Sequence, residues 1–109
     1  MANPTLTELR DLYFYLDNNF DDLKAACKTD DQKKALQQSY AAARDAFGQA
    51  VTLTFDEDDA EIIDLASQLK AVNGTLADMQ ASLGKIAKIL QLAAKGVDIG
   101  MKLVGAAKG

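Results

Sequence analysis

The chain has 109 residues, of which 49% are hydrophobic and 26% charged, with one cysteine, one proline and no histidine or tryptophan. This length suits a single domain, residues 1–109, that buries roughly 65% of its unfolded surface, and the apolar content excludes disorder. Without histidine and with Cys27 as the lone thiol, a disulfide framework, most zinc sites, Ser-His or Cys-His catalysis and histidine-ligated haem are excluded.

The first element is written in Leu6, Leu9, Tyr13, Leu16, Phe20, Leu23 and Cys27, whose alternating spacings of three and four draw one stripe along a helix at the 3.5-residue repeat of coiled coils. Thr5-Leu6-Thr7-Glu8 reads as a capping box ahead of it, so helix 1 is expected at 6–28. Within it, Leu12-Tyr13-Phe14-Tyr15-Leu16 wraps apolar surface around the helix. Phe14 lies off the stripe, as a second core contact or an anchor for a partner. Cys27 closes the stripe as a buried, inert thiol.

Thr29-Asp30-Asp31-Gln32 is a second capping box, and Leu36, Tyr40, Ala43, Phe47, Ala50 and Thr54 repeat the alternation. Helix 2 is expected at 30–54, antiparallel to helix 1 because the join is so short. Tyr40 and Phe47 are read as core, and the small residues around them permit a close neighbour. Val51-Thr52-Leu53-Thr54-Phe55 alternates like a strand. With nothing to pair with, it is read as the helix end running into a linker.

Asp56-Glu57-Asp58-Asp59 opens the third tract, with Asp56 the expected N-cap of a helix whose positive end the carboxylates face. Calcium is the competing reading of this run, but Glu61 stands where an EF-hand loop needs glycine and Ser67 where it needs glutamate. From Ile62 to Ala107 the stripe never slips phase, which predicts one helix over 57–107, roughly 75 Å long. Against this, Asn73-Gly74 is a turn dipeptide followed by an acceptable cap. The fold class expected is therefore all-α: an antiparallel helical hairpin on a long third helix, or a four-helix bundle with a break at 73–75.

Residues 83–107 are apolar around most of the helix circumference, and such a helix must be covered nearly all round. Leu83, Ile86, Ile89, Leu90, Leu92, Gly96, Val97, Ile99, Gly100, Met101, Leu103 and Val104, together with Phe14, form the expected interface with a second copy or another helical protein. Gly96 and Gly100 have the GxxxG spacing that lets helices approach closely. If the chain's own bundle covers the segment instead, the same residues are core. In composition the tract resembles the lysine-, glycine- and alanine-rich stretches of cationic membrane-active peptides, and that resemblance implies a membrane-associating or pore-forming helix. Lys85, Lys88, Lys95 and Lys102 would then contact the anionic surface.

Charge is split along the chain. Residues 1–79 hold fifteen acidic and seven basic side chains, a balance of −8. Residues 80–109 set Lys85, Lys88, Lys95, Lys102 and Lys108 against Asp98 alone, a balance of +4. The acidic body argues against nucleic acid and suits an acidic chaperone, inhibitor or immunity-type protein that binds a basic partner. Carboxylate pairs such as Glu61 with Asp64 fall on polar faces and carry no catalysis, so no enzyme, cofactor or metal is expected. The start Met1-Ala2-Asn3-Pro4 has neither a basic nor an apolar leader region. A cytoplasmic location is the default expectation, with signal-less export as its alternative.

Overall fold

The structure, a computed structural model, describes residues 4–79 and 85–108. Among these every regular element is helical: α1 Pro4–Ala26, α2 Asp30–Ala50, α3 Ala60–Asp78 and α4 Ile86–Lys108. They pack as a helical bundle 42 × 22 × 20 Å. Each of α1 and α4 touches all three other helices, whereas α2 and α3 do not meet.

The core is aliphatic. The largest fully buried side chains are leucines and isoleucines, among them Leu9, Leu12, Leu16, Leu36, Leu69, Ile89 and Leu103, each stabilising the fold by about 1.5–3 kcal/mol relative to exposure. No aromatic ring reaches that depth. The buried face of α1 is Thr5, Leu9, Leu12, Leu16 and Leu23, and that of α2 is Leu36, Ser39, Ala43, Ala46 and Ala50. Both faces are rotated from the predicted stripes. Tyr13, Phe20, Tyr40 and Phe47 therefore sit half-buried at the rim. The small residues of α2 face inward, and the large rings pack on one another at the rim.

Named contacts fix which stretches lie side by side. Tyr13 stacks on Phe47 with ring centroids 5.9 Å apart, and Phe20 lies 5.0 Å from Tyr40. Asn73 Nδ2 donates to the Glu8 carbonyl at 2.9 Å and to Glu8 Oε1 at 3.0 Å. Lys108 Nζ donates to Gln49 Oε1. The 51–59 connection tucks Phe55 into the core and contains no strand, as the lack of a pairing partner predicts.

Five expectations about element ends need correction. Helix 1 ends at Ala26 and not at 28. Helix 1 opens at Pro4, whose fixed φ and missing N–H suit a first turn, so Thr5 is a buried helical residue and not a cap. Thr29 does cap α2, its Oγ1 accepting from Gln32 N at 3.1 Å while Gln32 Oε1 accepts from Lys28 N at 2.6 Å. That helix ends at Ala50 and not at 54. The cap of α3 is Asp59 and not Asp56: Asp59 Oδ1 accepts from Glu61 N at 2.8 Å and Ile62 N at 3.3 Å, whereas Asp56 Oδ1 accepts from Asp58 N at 2.9 Å. Finally, 57–107 is not one rod. The third helix ends at Asp78, capped at Met79, and α4 starts at Ile86, while Asn73-Gly74 lies inside α3. There the Asn73 side-chain amide donates to Glu8 of α1.

Candidate interaction surface

The expected interface on the C-terminal helix divides into two sets. Ile86, Ile89, Leu90, Gly96, Ile99, Gly100, Leu103 and Val104 are buried against the chain's own helices. Here they cover α1–α3 and not a partner. The chain's own helices cover the inward side of α4, so these residues are core, the alternative that the sequence left open. Leu92 and Val97 are half-buried, and Met101 is 43% exposed. Leu83 lies outside the described residues.

Gly96 and Gly100 serve this internal packing. A Cβ at Gly96 would stand 3.2 Å from a Leu12 methyl and 3.3 Å from Val72, and one at Gly100 would stand 3.0 Å from a Leu9 methyl. The glycine pair thus lets α4 come close to α1 across the bundle, which larger residues would prevent.

The outer strip of α4 is Ala87, Lys88, Gln91, Ala94, Lys95, Asp98, Met101, Lys102, Gly105 and Lys108, all exposed, and Lys85 just before the helix is exposed as well. Its one ion pair is Asp98–Lys102, 3.2 Å, between two well-exposed side chains, an interaction worth little by itself. The lysines expected to meet an anionic surface do share one face. No helix among the described residues is long and apolar enough to cross a membrane.

A second surface lies on α1 and α2. Phe14 is 44% exposed. Around it, Tyr13 stands 5.7 Å and Phe47 6.3 Å away between ring centroids, and the Arg10 guanidinium lies 5.9 Å over its ring. Tyr13 and Tyr40 continue the row 5.8 Å apart. Beside it the Tyr40 hydroxyl donates to Asp17 Oδ1 at 2.7 Å. That bond, with burial adding to it, pushes the Tyr40 phenol up to about 12. Arg44 and Asp45 flank a shallow crevice next to Tyr40. Around the rings stand the carboxylates of Glu8, Asp11, Asp17 and Asp45 and the cations Arg10, Arg44 and Lys70, with Asp11 paired to Arg10.

Phe14 also borders a groove between α1 and α3, lined by Glu8, Asp11, Tyr15, Lys70, Asn73, Gly74 and Ala77. The Tyr15 hydroxyl and Asn73 Oδ1 are buried beneath it without hydrogen-bond partners, and burial raises the Tyr15 pKa. Along the same seam Ile63 is 52% exposed. Sequence reasoning singled out Phe14 but missed this groove, because its walls come from helices 60 residues apart. The one available signal was an asparagine beside an apolar stripe.

Cys27 is buried at the end of the α1 stripe, its thiol donating to the Leu23 carbonyl at 3.3 Å. Burial pushes its pKa up, with Lys33 opposing, the reverse of what a reactive thiolate needs. Among the described residues no cluster of three or more carboxylate or thiol side chains is arranged to hold a metal ion. No protein-family model, curated protein or solved structure matches the chain.

Proposed function

We propose that this chain is a non-enzymatic helical interaction protein whose docking surface is the Phe14-centred aromatic face of α1 and α2, and not the apolar side of α4. The observation that carries the reading is the exposed Phe14 ring held among Tyr13, Phe47 and Arg10. Aromatic and arginine side chains fixed on a rigid helix are what binding hot spots are made of, since they bury large area at small entropic cost. The surround has a slight acidic excess, so the partner is a helix or loop that brings an apolar anchor flanked by basic residues, and its affinity falls with salt.

The contacts between elements support a definite arrangement for the scaffold. Numbering rises along α1 as it falls along α2 at Tyr13–Phe47 and Phe20–Tyr40, so these helices run antiparallel. The α1 to α4 pairs, Leu12 with Gly96 and Leu9 with Gly100, run antiparallel too, whereas Ala46 with Gly100 and Gln49 with Lys108 set α2 parallel to α4. Two antiparallel hairpins packed side by side satisfy all of these, with the 51–59 connection crossing the end over Phe55. This four-helix arrangement keeps the predicted α1–α2 hairpin and replaces the long third helix with a second hairpin.

The membrane-associating alternative would rest on electrostatics alone, because the outer strip of α4 offers only Met101 as a large apolar side chain. To test the favoured reading, a photo-crosslinking amino acid is placed at position 14 and, as a control, at exposed Ala25 on the same helix. Specific adducts with another protein at 14 and not at 25 are expected. Equal or absent labelling at both positions contradicts the proposal.

A further inference from the structure

We propose that the side of the bundle formed by α3 and α4 docks a second copy of this chain, through two columns of opposite charge. The inference builds on the reading of the chain as an interaction protein, but it uses a face other than that of Phe14. Asp64, Ala71 and Asp78 stand seven residues apart on α3, and Lys88, Lys95 and Lys102 stand seven apart on α4, all exposed.

Both columns flank the seam between the two helices. On α3, Ala66, Lys70, Asn73 and Ala77 line the grooves against α1. At 3.6 residues per turn the Asp64–Asp78 column falls on the opposite side of the buried stripe, towards α4. On α4, Gly100 and Lys108 face α2 through Ala46 and Gln49, and the lysine column falls on the other side, towards α3. Val72 and Gly96 are in contact and so lie at one height. With α3 and α4 antiparallel, Asp78 then stands within about one turn of Lys88, and Asp64 within about one turn of Lys102. Among the described residues no ion pair joins the columns; the pairs formed are Arg10–Asp11 and Asp98–Lys102.

A face carrying both signs selects its occupant. A uniformly anionic bilayer attracts the lysine column and repels the aspartates beside it. A second copy rotated by half a turn about an axis parallel to the helices sets each acidic column on the other copy's lysines. That rotation leaves every height unchanged, so Asp78 meets the level of Lys88 and Asp64 that of Lys102 without sliding. The other two-fold, perpendicular to the helices, would oppose α3 to α3 and lysines to lysines. The face is built from the 19 residues of α3 and the 23 of α4, so it runs roughly 30 Å along the helices at 1.5 Å per residue. None of the exposed large apolar side chains, Phe14, Val51, Ile63 and Met101, stands in either column, so the association is governed by charge and is sensitive to salt.

Sedimentation velocity on the full chain and on two charge-reversed variants decides the matter, with circular dichroism confirming that each folds. One variant is Lys88→Glu with Lys95→Glu and Lys102→Glu, and the other is Asp64→Lys with Asp78→Lys. The wild type should dimerise at low salt, and its dissociation constant should rise at least about tenfold as the Debye length shrinks from about 30 to about 8 Å. Each variant should be monomeric alone, and an equal mixture should form a heterodimer. A wild type that stays monomeric at low salt, or a mixture that fails to associate, overturns the proposal. So does binding to vesicles containing anionic lipid by a chain that does not self-associate, which would make lipid the occupant. Phe14→Glu separates the two readings: it should leave this dimer intact while abolishing partner adducts formed by a photo-crosslinker at exposed Asn18, one turn along α1.

Discussion

At the scale of single residues, Tyr40 and Asp17 offer a direct probe of the contact between α1 and α2. The hydrogen bond to Asp17 raises the Tyr40 phenol from an ordinary value of 10.0 to about 12, so the folded state holds that proton more tightly than the unfolded chain does. The stabilisation is complete below pH 10 and is lost as pH rises through about 12. Ultraviolet titration should show one tyrosine ionising with a midpoint near 12, and Asp17→Asn should bring it down. A phenol that titrates unchanged in the variant would contradict the bond. The glycines divide just as sharply. Gly74 has open space where a Cβ would stand, whereas Gly100 has a Leu9 methyl 3.0 Å away. Gly74→Ala should therefore stabilise the fold by about 0.5–1 kcal/mol, and Gly100→Val should cost about 1–3 kcal/mol by overpacking, both read by urea denaturation.

Among the elements, the caps show how far local signals reach. Thr29 is legible as a cap because a capping box needs only residues three apart, and its hydroxyl caps α2 as expected, while Gln32 reaches back to Lys28 N and not to the Thr29 N–H of a full box. The run Asp56–Asp59 signals a helix start but not which carboxylate caps it, since four adjacent acids satisfy the same pattern. Asp59→Ala should cost about 0.5–2 kcal/mol, and Asp56→Ala, which frees only the turn to Asp58, clearly less. Equal effects would mean that α3 begins earlier than Ala60. Asn73-Gly74 misleads for a physical reason: a turn dipeptide tells of backbone permissiveness, while the amide of Asn73 is committed to Glu8, 65 residues away. The unbroken apolar phase across 69, 72, 76 and 79 was the better guide there. The end of α3 at Asp78 carries no comparable mark.

For the whole molecule, the helical class was readable from periodicity, but the cover for residues 86–104 was not. A helix apolar over most of its surface needs neighbours on most sides, and nothing in its own sequence tells whether they belong to the same chain. At Gly96 and Gly100 those neighbours are Leu9, Leu12, Val72 and Ala46 of the same chain. Of the expected interface residues, Phe14 keeps its place on the surface because the stripe of α1 passes through Leu12 and Leu16 on the other side of the helix. Leu103→Ala, which empties a fully buried site, should lower stability by about 2–5 kcal/mol in calorimetry. A change below about 0.5 kcal/mol would mean that α4 is not part of this core.

The dependence of the melting temperature on protein concentration, measured in about 1 M salt where charge-driven association is screened to a Debye length of about 3 Å, tests the self-contained core most directly. A bundle that covers its own C-terminal helix melts at one temperature over a hundredfold dilution. A melting temperature that falls steadily on dilution would show that a second chain completes the core.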